Sequence, residues 1–157
     1  TAGGTALVLN TLRNVAAYTA SVALTVAQSG SIITGNAAAG MTVTLPAAEA
    51  GLHFSIHVGT TITSNNFIIT GATSADVFQG QLVANDFTDL GSLTALNENV
   101  ATVAFDQPAA ADYRITMNGT TKGGKVGSIV HCTAISAVIW NIDGFLSSDG
   151  TLATTFS

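Results

Sequence analysis

Three histidines, one cysteine and nine carboxylates are the residues with which this 157-residue chain could do chemistry. His53 and His57 stand four apart, which on a helix would put two metal ligands on one face. Their segment does not read as a helix. Leu52, Phe54, Ile56 and Val58 alternate with His53, Ser55 and His57, the period of a strand with one face buried. On a strand the two imidazoles stand about 13 Å apart at ~3.3 Å per residue, too far to share one ion. One histidine from each of three subunits on a symmetry axis would be the remaining metal-binding arrangement. Ordinary surface or interface histidines are the plainer reading. Cys132 follows His131, but neighbours on a strand point to opposite faces, so the two cannot converge as a nucleophile and its base. Cys132 reads as a small buried hydrophobe.

The carboxylates fall mostly in turn segments, where Asp caps local backbone groups. Asp86 and Asp89 are three apart and could offer oxygens to a hard cation, but the rest of a calcium loop is missing. No spacing selects a pair for glycoside cleavage. Gly123-Gly124-Lys125 lacks the remainder of a phosphate loop, and Asn118-Gly119-Thr120 reads as a tight turn before it reads as a glycosylation acceptor. The residues point to no catalytic group, no cofactor and no metal site, and the expectation is that the chain is not an enzyme.

The elements that would position these residues are short strands. Val22, Leu24 and Val26 share one face of a first strand. Ser31–Thr34 follows, then Met41–Leu45 with Met41, Val43 and Leu45 inward, ended by Pro46. Leu52–Val58, Phe67–Thr70 and Val77–Phe78 come next. The stretch 81–99 is irregular, with Leu82-Val83 and Leu93–Leu96 as short elements. Val100–Phe105 alternates, Tyr113–Met117 is a strand, and Lys125–Cys132 and Ala137–Ile142 form an apolar pair. Residues 150–156 make a last strand or tail. About ten short strands, turn signals at regular intervals and no sustained helical period predict an all-β fold, an antiparallel sandwich or barrel. Residues 17–157 are expected to form that single domain. Residues 1–16 (TAGGTALVLNTLRNVA) read as an extended N-terminal arm, loosened by Gly3 and Gly4, that cannot bury its own leucines.

Composition narrows the function. Charged residues are 8% of the chain and hydrophobic residues 47%, with a mean hydropathy of +0.48. No apolar run reaches the roughly 18 residues of a membrane span. A free monomer ordinarily carries a more charged surface, so much of this surface is expected to face other subunits. The net charge is −5 with four basic residues, which leaves no basic face for nucleic acid or an anionic membrane. A single cysteine precludes an internal disulfide. No export signal is visible, and Thr1 is what removal of an initiator Met would leave, so the expected place of synthesis is the cytoplasm.

One resemblance runs through most of the chain. The run 40–59 (GMTVTLPAAEAGLHFSIHVG), Phe67–Gly71 (FIITG), Asp76–Gly80 (DVFQG), Gly124-Lys125-Val126, Trp140–Gly144 (WNIDG) and Gly150-Thr151 occur in the order found in domains of tailed-phage virion proteins. The chain resembles capsid decoration (cement) proteins and related head- or tail-fibre domains; segment 81–118 departs from that pattern. The resemblance implies a structural protein on the virion surface, often trimeric, whose partner is the major capsid protein. It brings no catalytic residues. A short chain with a strap suits a protein that cements neighbouring capsomers, with Leu7, Leu9, Leu12 and Arg13 of the arm as the capsid-contact residues. The alternatives are a receptor-binding head- or tail-fibre module, with loops 71–80 and 144–150 toward host glycans, or another self-assembling structural subunit.

Overall fold

The computed structural model describes residues 12–86 and 103–157. Leu7 and Leu9 of the arm, Asp89 and the short element expected at Leu93–Leu96 lie outside the described residues.

The strands are β1 (Val15–Tyr18), β2 (Val22–Ala23), β3 (Ile32–Gly35), β4 (Met41–Thr44), β5 (His53–Val58), β6 (Phe67–Thr70), β7 (Val77–Asp86), β8 (Val103–Asp106), β9 (Arg114–Met117), β10 (Ile129–Ala134) and β11 (Ile139–Ser148). They form two facing sheets, one ordered β1-β3-β5-β10-β11-β7-β8 and one ordered β2-β4-β6-β9. The all-β reading therefore holds, and the sheets are mixed rather than wholly antiparallel. Antiparallel pairing joins β5 to β10, β10 to β11, β7 to β8 and β6 to β9. Parallel pairing joins β1 to β3, β3 to β5, β2 to β4, β4 to β6 and β7 to β11.

The parallel pairs have a simple cause. From β1 to β6 each successive strand enters the opposite sheet, so the chain winds between the two layers and lays every circuit beside the last. Parallel neighbours need a long crossover, and here a strand of the facing sheet supplies it in place of a helix. Period-two alternation reports which side chains face inward and carries no information on strand direction. Turn spacing is the same for a hairpin and for half a circuit.

The core lies between the sheets. Phe54, Ile56, Trp140 and Ile142 of the larger sheet meet Val43, Phe67, Ile69 and Ile115 of the smaller, all nearly inaccessible. The inward faces expected for Met41–Leu45 and Leu52–Val58 are the observed ones. Several expected strands begin or end elsewhere: the one at Val77–Phe78 runs on as β7 to Asp86 through residues read as irregular, and the one at Ala137–Ile142 runs on as β11 to Ser148. The strand through Val26 stops at Ala23, because Thr25 and Gln28 form a capping box: the Gln28 side-chain oxygen accepts the Thr25 backbone N–H at 2.9 Å and starts a 3-10 turn at Val26–Gln28. The strand expected from Lys125 starts at Ile129, because Ser128 N–H closes a turn on Lys125 O and Gly127 takes φ +95°. Val26 and Val126 are exposed accordingly. Val15 and Ala16, read as the end of the arm, are the first residues of β1.

Carboxylates do the capping expected of them. Asp76 accepts the N–H groups of Ala48 and Thr73 at 3.0 and 2.9 Å. Asp112 accepts that of Ala109 at 2.8 Å, and Asp86 that of Gly150 at 2.9 Å. Among the described residues no helix is long and apolar enough to cross a membrane.

Candidate functional site

Two surfaces of the described residues stand apart from the rest: the end of the sandwich where residues 12–14 lead into β1, and the outer face of the larger sheet.

At the first, β1 and β2 are the edge strands of their sheets and belong to the same circuit. An edge strand presents unpaired backbone donors and acceptors that a protein ordinarily covers. The chain covers its other edge. Phe156 bridges to Ile115 on β9, Arg114 and Ser157 exchange backbone hydrogen bonds, both 3.0 Å, and Thr116 N–H reaches Thr155 O at 2.8 Å. Asp106 of β8 takes the Thr154 hydroxyl at 2.8 Å and the Thr155 N–H and hydroxyl. The C-terminal tail thus pairs with β9 while tied to β8. Among the described residues no such cover lies along β1 and β2.

Of the four capsid-contact residues expected from sequence, Leu12 and Arg13 sit at this open end. Leu12 is 83% exposed, and Val15 beside it 62%. Arg13 Nε donates to Gly30 O at 3.0 Å, and Asn14 O accepts the Ile32 N–H at 2.8 Å. These bonds root the arm against β3 and fix where it departs, so Arg13 has an anchoring part that its charge alone did not suggest.

The outer face of the larger sheet gathers the histidines. His53 and His57 are on β5 as expected, on a strand and separated. Ser55, expected to be exposed between them, is buried, with Oγ 2.9 Å from His57 Nε2. His131 pairs with Ser55 on one side and Asp143 on the other. Burial first, then the charges of His131 and Arg13, hold His57 below the ordinary imidazole pKa. Cys132 points the other way, into the core, and burial followed by the Asp143 charge pushes its thiol far up; a thiol so protonated is a poor nucleophile. Among the described residues no group of three or more His, Cys, Asp or Glu is placed to hold a metal.

Farther across the same face lies an open groove of about 760 Å³. Gln81, Gln107, His131, Asn141 and Asp143 supply its polar lining. Ile129, Phe145 and Val83 cross it in register on β10, β11 and β7, and Phe105 of β8 continues the row. Sequence reading missed this site because its residues come from four segments brought together by the pairing of β10 with β11, β11 with β7 and β7 with β8. Asp143 is not among the turn carboxylates but an exposed residue within β11. Phe145 and Phe105 are 40% and 67% accessible, an exposure that residue type alone does not reveal. Loops 71–80 and 144–150 do not form the groove as loops; Gly80, Gly144 and Phe145 line it as strand residues.

Compared with known proteins, the chain matches no family model, no curated protein and no solved structure.

Proposed function

We propose that this chain is a non-catalytic structural protein of a phage virion that binds the outside of the capsid and cements neighbouring capsomers, acting as a homo-oligomer, a trimer in the reading taken from the sequence resemblance. The observation that carries the proposal is the asymmetry of the sandwich. The chain's own tail pairs with β9 and is tied to β8 through Asp106, whereas among the described residues β1 and β2 have no such cover, and Val15 of β1 and Leu12 just before it are exposed. An extended segment crossing such an edge adds backbone hydrogen bonds and apolar contacts at once. Repeated over a symmetric lattice, modest contacts suffice for firm attachment. The low charge of the chain, 8% of residues, agrees with a surface that is largely covered in the assembly.

The test is re-binding of the purified protein to particles stripped of it. Removal of residues 1–11 should weaken attachment by about a hundredfold or more, since burying Leu7 and Leu9 against the shell would contribute roughly 1.5–3 kcal/mol each. The truncated chain should melt like the full one, because β1 and Arg13 are retained. Unchanged attachment of the truncated chain would remove the arm from the mechanism.

A further inference from the structure

The groove on the outer face of the larger sheet is remote in strand order from the arm's root. It occupies β10, β11 and β7 toward the β8 edge, while the arm leaves at the β1 edge. Attachment through β1 and the arm therefore leaves it free, and its lining differs in kind from the threonines of the smaller sheet's outer face, Thr42, Thr44, Thr70 and Thr116. We propose that this groove is a binding site for a neutral saccharide chain.

The polar lining consists of planar groups that hydrogen-bond in fixed directions: the amides of Gln81, Gln107 and Asn141, the carboxylate of Asp143 and the imidazole of His131. Amides and imidazole both donate and accept, and the carboxylate accepts twice. That set matches adjacent sugar hydroxyls, each of which donates one hydrogen bond and accepts others. Asp143 is exposed and directly opposite His131 in the ladder, so a hydroxyl between them would give to one and take from the other. Hydrogen bonds to a charged group are the stronger ones.

The apolar row supplies the other half of sugar recognition. One face of a pyranose ring is lined with C–H groups, and an aromatic ring presents a negative face to them. Phe145 is in register between Ile129 and Val83 and is 40% exposed in the middle of the groove. Gly80 and Gly144 line the groove with backbone alone. A Cβ at either would lie 2.1 Å from Ile142 O or 2.2 Å from Ile129 O, so both positions are held bare by the neighbouring strand.

The lining also says what the ligand is not. It contains neither Lys nor Arg, so no fixed cation is present to recognise phosphate or sulfate. An open trough across strands suits a chain of sugar units, whereas a small metabolite is typically bound in a cavity that buries most of it. With many copies on one particle, weak single-site binding would still hold the particle to a glycan-coated surface.

The experiment titrates the isotope-labelled full chain with neutral hexose and N-acetylhexosamine oligosaccharides, followed by NMR, with sulfated counterparts as the charged comparison. At least one neutral oligosaccharide should shift the resonances of Gln81, Asn141, Asp143 and Phe145, and sulfated forms should bind no better. Asp143→Ala and Phe145→Ala should each weaken binding about tenfold or more, while Glu49→Ala, an exposed change off the groove, should leave it unchanged. Both groove side chains are exposed, and thermal melting confirms that the variants fold. No shift with any neutral oligosaccharide would overturn the proposal. So would sulfated forms binding better, or shifts that survive both groove variants. Dissociation of an oligomer by Phe145→Ala without loss of a sugar signal would overturn it too, by marking the face as a contact between copies of the chain.

Discussion

Trp140→Ala is expected to lose about 3–5 kcal/mol of stability. The indole is fully buried between the sheets, with its ring 6.1 Å from that of Phe54. Removing it opens a cavity that mostly main-chain-ordered strands cannot collapse into. Against a total of roughly 5–15 kcal/mol for a domain, that is a large share, and at this size it corresponds to a fall in melting temperature of about 6–20 °C. Trp140→Phe gives a sharper reading. The indole N–H is buried without a hydrogen-bond partner among the described residues, and an unsatisfied buried donor carries its own penalty. The phenylalanine variant loses volume and sheds that penalty, so its loss should be well below that of alanine. Calorimetry on both variants checks the pair; equal losses would mean that the N–H is satisfied in solution.

Much of this core was readable from sequence, for a definite reason. Met41, Val43 and Leu45, and Leu52, Phe54, Ile56 and Val58, face the core in alternation, the mark that one-sided burial leaves on a strand, with Ser55 the one buried residue on the outer side of that second run. Strand direction left no such mark. The winding from β1 to β6 depends on which sheet each strand enters, and TVTLP-like segments read alike in either course. Local chemistry overrode the pattern at Thr25 and Gln28, where a capping box turned an apparently alternating segment. The groove was illegible for a third reason. Asp143 and Gln81 are far apart in sequence and meet only because β11 runs parallel to β7.

Gly119→Ala should be the most damaging single-methyl change among the turns, at about 2–5 kcal/mol. Two costs combine there. Gly119 has φ +79°, where an L side chain is disfavoured. A Cβ would also stand 1.9 Å from the carbonyl oxygen of Ile62, a residue whose backbone N–H donates to Gly124 O at 3.0 Å. The carbonyl cannot move without disturbing the Gly119–Gly123 turn, closed by a 2.7 Å bond. Gly127→Ala separates the two costs. It has φ +95° with nothing within 4 Å of the added methyl, so it should show only the conformational part, about 1–2 kcal/mol. Chemical denaturation of both variants measures the difference, which is the steric contribution at Ile62. Equal losses would show that the carbonyl yields freely.

Cementing requires the protein to occupy the shell lattice throughout, with its edge strands and arm against the shell protein. The most direct measurement is therefore its copy number in purified virions, by quantitative mass spectrometry against the major shell protein. A fixed small-integer ratio to the shell protein is the expected result. A handful of copies per particle would contradict it and indicate a fibre or tail part, and absence from particles would contradict a virion role altogether.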